Sequence, residues 1–157
     1  MTAILFFAHG SRDLQWRVPF DAILADFRGM HATKLAELAF LEFMLPDFAS
    51  SVKALIDQDA KQICVIPLFL ATGAHTRKDL TELIERAQET HGGVRFTVAS
   101  PIGEVDSIRN AISSWVATQL LEAAIRCSIR TSTRSHALGQ STRCNVAGAN
   151  SVRHNSA

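Results

Sequence analysis

The chain has 157 residues, 47% of them hydrophobic, which suits one domain with a real core and is short for two. Its formal charge of +1 lacks the basic excess that nucleic-acid or membrane-surface binding demands, so neither partner is expected. The near-balance hides an asymmetry: every acidic residue precedes position 129, whereas Arg130, Arg134, Arg143 and Arg153 follow it, giving a mildly acidic body and a basic end.

Cys64, Cys127 and Cys144 are odd in number and have neither disulfide nor metal-type spacing. A reducing, cytoplasmic setting is therefore expected. Met1-Thr2-Ala3 leads straight into an apolar run without a basic leader, and no apolar run approaches membrane-spanning length, so neither export nor a membrane anchor is expected.

Taken in order, residues 3–8 predict a first strand, apolar on both faces, as in a parallel sheet covered by helices. It breaks off at His9-Gly10, a tight-turn signal. Pro19 can open a helix, and Phe20, Ile23, Leu24 and Phe27 recur at helical spacing up to a stop at Gly29. Residues 34–41 predict the second strand, with Glu42 at its end. Pro46 and Asp47 then introduce a helix with an inward stripe of Phe48, Val52, Leu55 and Ile56.

Residues 62–67 form the third expected strand, followed through Ala71-Thr72-Gly73-Ala74 by His75. Thr76 and Asp79 have capping-box spacing for a helix whose buried face is Leu80, Leu83, Ile84 and Ala87, ending at Gly92-Gly93. Residues 95–99 predict the fourth strand. A long helix from about Glu104 follows, on which Val105, Ile108, Ile112, Trp115, Val116 and Leu120 keep helical spacing before fraying near Arg126. The domain thus spans 1–128, and residues 129–157, rich in Ser, Thr, Asn and Arg, read as a basic, disordered tail.

Four strand–helix repeats imply right-handed crossovers and an α/β three-layer sandwich, a four-stranded parallel sheet with helices on both faces. In the order 2-1-3-4, the connections leave strands one and three in opposite directions and open a crevice at their carboxyl ends. His9, His75 and Glu42 follow strands one, three and two. All three can bind a metal or move protons, so that crevice is the candidate site. Histidine phosphatases also place a reactive histidine after the first strand, but their pattern wants an arginine before His-Gly, and Ala8 stands there.

Three blocks together carry a family resemblance: His9-Gly10-Ser11-Arg12; Ala39-Phe40-Leu41-Glu42 with Pro46; and Pro67-Leu68-Phe69-Leu70 with Gly73, His75 and Asp79. Over roughly residues 1–125 the chain resembles the CbiX/SirB sirohydrochlorin chelatases, class II chelatases of cobalamin and sirohaem synthesis. The resemblance implies a chelatase-like fold and a lyase-type activity that inserts a divalent metal, Co²⁺ or Fe²⁺ with Ni²⁺ a further candidate, into sirohydrochlorin. The metal is substrate, and no permanently bound cofactor is expected. With one copy of the unit and no internal repeat, the chain is similar to the short form, which pairs as a homodimer.

Metallating a tetrapyrrole removes two pyrrole N–H protons and moves a cation to four ring nitrogens, which calls for weak ligands beside proton acceptors. Imidazole serves both needs, since it suits borderline divalent ions and ordinarily titrates near pH 6.5. On this basis His9 and His75 are the expected metal ligands and catalytic bases, with Glu42 as a further ligand or proton relay. Arg12, Arg17 and Arg77 are candidates to hold the substrate's peripheral carboxylates, and Ser11 could offer its hydroxyl or backbone amide. A non-catalytic metal or tetrapyrrole carrier would use the same crevice.

Overall fold

The computed structural model describes residues 1–137. Strands β1 (Thr2–Ala8), β2 (Ala36–Phe40), β3 (Gln62–Pro67) and β4 (Arg95–Val98) form one sheet in the order β2-β1-β3-β4, every neighbouring pair parallel. Helices α1 (Val18–Met30), α2 (Phe48–Asp57), α3 (Ala74–Thr90) and α4 (Asp106–Ala137) alternate with the strands. The expected topology is present. The chain divides into two compact units, Met1–Ile112 and the segment from Ser113 onward. The first holds the sheet, α1 to α3 and the start of α4; within the described residues the second is the remainder of α4.

Alternation along β1 explains why both faces of the sheet are covered. Successive side chains point to opposite sides, so Ala3, Leu5 and Phe7 join one core with Val52 and Leu55 of α2 and Leu80 and Ala87 of α3. Ile4, Phe6 and Ala8 face the other way, toward Phe20, Leu24 and Phe27 of α1. The α2 contact is also polar: the buried Ser51 hydroxyl donates to the Leu38 carbonyl at 2.7 Å. Asp47 caps α2, accepting from the Ser50 amide at 2.8 Å, so Pro46 lies just outside the helix.

Several details differ from expectation. Ile23 is exposed, because the face of α1 against the sheet is carried by Leu24 with half-buried Phe20 and Phe27. α3 starts at Ala74 with Gly73 as its cap, and the Arg77 amide donates to the Gly73 carbonyl at 3.1 Å. Thr76 is therefore inside the first turn and does not cap it. A short 3₁₀ turn, Ile102–Glu104, precedes α4, which runs past the expected fraying point at Arg126. No proline or glycine interrupts that stretch before Gly139. On α4, Ile108, Ile112, Trp115, Val116 and Leu120 are exposed. The rest of the expected tail, residues 138–157 with Cys144 and His154, lies outside the described residues. Among the described residues no helix is long and apolar enough to cross a membrane.

Candidate active site

The carboxyl edge of the sheet is built by extending two ladders past their strands. On one side the Leu41 amide donates to the Ala8 carbonyl at 2.8 Å, and the Glu42 amide donates to the His9 carbonyl at 3.0 Å. On the other, the Leu68 amide donates to the Phe7 carbonyl at 2.8 Å. The end of β1 is thus held between the loops that follow β2 and β3. His9, half-buried, emerges between them.

Two residues that the sequence reading gave no role in the site fix His9. Phe69 is buried in the core edge-on to Phe7, and the His9 ring lies on it with centroids 4.4 Å apart and planes tilted by 41°. Gly10 has φ +93°, and a Cβ there would overlap the Glu42 carbonyl oxygen. Only glycine permits this turn to lie against the β2 loop. The adjacent His-Gly pair was the available signal for Gly10; nothing local marked Phe69 as the surface under His9.

The remaining candidates divide. Glu42 is tied to His9 through its backbone, and its side chain is exposed. His75 is also exposed and belongs to the first turn of α3 instead of to a strand end. Ser11 accepts from the Asp13 amide at 3.1 Å, shaping the turn after His9. Arg12 is exposed, its guanidinium carbon 5.1 Å from the centre of the Phe43 ring. Arg77 donates to the Thr72 carbonyl at 3.0 Å and lines a cavity of about 190 Å³ with Thr72, Pro67, Leu80 and Glu104; the buried Thr72 hydroxyl has no hydrogen-bond partner there.

Arg17 is the exception among the arginines. Its fork is engaged by Asp21, with contacts of 2.8 and 3.0 Å, and also donates to the Leu45 carbonyl at 3.2 Å. Those hydrogen bonds hold the Asp21 carboxyl below its usual range and raise Arg17 in turn. Arg17 is thus engaged in an i,i+4 pair that braces the start of α1 against the β2 loop.

Among the described residues, no three His, Cys, Asp or Glu side chains come together as a metal-holding group. His9, Glu42 and His75 share the carboxyl edge without forming a three-ligand cluster. A cavity of about 560 Å³ opens at the opposite, amino edge, lined by Met1, Thr2, Lys61, Gln62 and Arg95, and contains none of the candidate residues.

The sequence profile of the CbiX family matches residues 3–119. The chain belongs to the CbiX family. This CbiX chain is 32% identical over 110 residues to the sirohydrochlorin ferrochelatase of Bacillus subtilis, a match covering 70% of the chain and 42% of that protein. It is 27% identical over 138 residues to the sirohydrochlorin cobaltochelatase of Sulfurisphaera tokodaii, covering 86% of the chain and all of that protein. The fold is similar to that of a CbiX protein of cobalamin biosynthesis from Marinobacter aquaeolei VT8, with a TM-score of 0.71, 32% identity, and coverage of 79% of this chain and 98% of that one. It is also similar to the sirohydrochlorin chelatase SirB of Bacillus subtilis subspecies spizizenii in complex with cobalt, with a TM-score of 0.66, 30% identity, and coverage of 74% and 50%. The CbiX chain therefore spans about two fifths of the Bacillus subtilis ferrochelatase and all of the shorter archaeal one.

Proposed function

We propose that this protein is a sirohydrochlorin chelatase that inserts Co²⁺ or Fe²⁺ into the macrocycle, with His9 and His75 as metal ligands and proton acceptors. The observation that carries this reading is the position of the two histidines, His9 just past β1 and His75 in the first turn of the helix that follows β3, beyond adjacent strands of the sheet, in a family whose relatives are named for both metals. As the cation enters the ring, two pyrrole protons leave, and two neutral imidazoles can take them. Two ligands leave coordination positions open, which suits a metal that must depart. Glu42, whose backbone amide donates to the His9 carbonyl and whose side chain is exposed, is the proposed relay of a proton from that histidine to solvent.

Arg12 and Arg77 are the proposed partners for peripheral carboxylates. Arg77 shares its cavity with the unpaired Thr72 hydroxyl and the first turn of α3, whose amides also favour an anion. Ser11 retains a hydroxyl proton to donate. The proposed assembly is a homodimer. Its support is the exposed Trp115, Leu120 and Leu121 of α4.

The test mixes sirohydrochlorin with Co²⁺ or Fe²⁺ and follows the absorbance of the metallated product. A catalytic amount of protein is expected to convert many equivalents, and His9→Ala or His75→Ala to lower the rate about 100-fold or more. A spectral change that stops at one equivalent per chain would show a carrier and overturn the reading.

A further inference from the structure

We propose that Phe43 is the platform on which one face of the tetrapyrrole stacks, with Arg12 held above the same ring to meet a peripheral carboxylate. This inference rests on the chelatase reading and adds to it a substrate-positioning residue. Phe43 has φ +61°, a left-handed conformation that a bulky side chain rarely adopts. It is also 59% exposed, so burial does not offset the strain.

The strain has a local origin. Gly10 presses on the Glu42 backbone, the Glu42 amide donates to the His9 carbonyl, and the Met44 amide turns back to the Glu42 carbonyl at 2.8 Å. Phe43 is the residue left at the apex of that turn, one position from the Glu42–His9 bond. Glycine or asparagine would fit the backbone there more easily. A strained, exposed aromatic residue beside the proposed metal ligand indicates a function that outweighs its cost.

The surroundings specify the occupant. Leu45 on the same loop is 73% exposed, and Leu70, on the loop after β3, is 66% exposed. Arg12 crosses the Phe43 ring at 5.1 Å. A flat apolar ring system with carboxylates at its rim matches an exposed aromatic ring with a guanidinium over one of its faces, leaving the other face for stacking. A purely apolar partner would leave Arg12 desolvated and unpaired.

The experiment titrates metal-free sirohydrochlorin into wild type, Phe43→Gly and Arg12→Gln, titrates Co²⁺ alone into each, and records thermal unfolding and light scattering. Phe43→Gly is expected to weaken tetrapyrrole binding about tenfold. It should also leave Co²⁺ affinity unchanged and raise the unfolding midpoint by a few degrees, because glycine relieves the left-handed strain. Arg12→Gln should weaken tetrapyrrole binding without any gain in stability. The inference is overturned if Phe43→Gly binds the tetrapyrrole like wild type, loses Co²⁺ affinity in parallel, or melts lower. It is also overturned if that variant dissociates into monomers, which would make a second copy the occupant. A wild type that binds no sirohydrochlorin at all would overturn the chelatase reading itself, which separates the two failures.

Discussion

His9 is held by two neighbours that act without chemistry of their own. Gly10 supplies a turn that no side chain could enter, and Phe69 supplies the surface against which the imidazole rests. Gly10→Ala combines left-handed strain with a clash against the Glu42 carbonyl, and is expected to cost about 2–4 kcal/mol in urea unfolding. A loss under about 0.5 kcal/mol would show that the His9 turn does not need that close approach. The sequence marked His9 and Gly10 because an apolar run ended on them. It could not show that Phe69 underlies His9, nor the conformation of Phe43, which depend on contacts between segments more than thirty residues apart in the chain. Arg17 has its partner Asp21 one helical turn away, a local pairing that the sequence reading did not weigh.

At the scale of elements, the strands were the most legible, because the near-continuous apolar runs of β1 and β3 are imposed by a sheet covered on both faces. Helix starts were less so. Thr76 and Asp79 have capping-box spacing, yet α3 begins earlier, at Ala74 with Gly73 as its cap, and carries His75 in its first turn. The α2 cap was foreshadowed by Asp47, and it makes a pH prediction. Hydrogen bonds from the Ser50 hydroxyl and then the Ser50 amide hold the Asp47 carboxyl below its ordinary value. Its stabilisation is therefore fully present above about pH 4 and is lost as pH falls through the lowered folded value. Asp47→Asn keeps a capping oxygen but not the charge. The gap in unfolding free energy between wild type and Asp47→Asn, on the order of 1 kcal/mol at pH 7, should shrink toward zero by pH 2. A gap independent of pH would contradict this origin for the cap.

For the whole molecule, the parallel order β2-β1-β3-β4 brings the ends of β1 and β3 side by side and makes a joint site conceivable from residues 66 positions apart. The exposed apolar residues of α4 were legible only as a helical stripe, since periodicity predicts a face and not what covers it. Light scattering should return about twice the chain mass of 17.2 kDa; a mass of one chain under assay conditions would contradict the proposed homodimer. The central claim, that His9 and His75 act as one unit on one cation, is tested most directly by comparing cobalt insertion in His9→Ala, His75→Ala and the double variant. Residues acting together are strongly non-additive, so the account predicts that the double variant turns over about as slowly as either single one. Losses that multiply in the double variant, or a single variant that retains wild-type turnover, would contradict it.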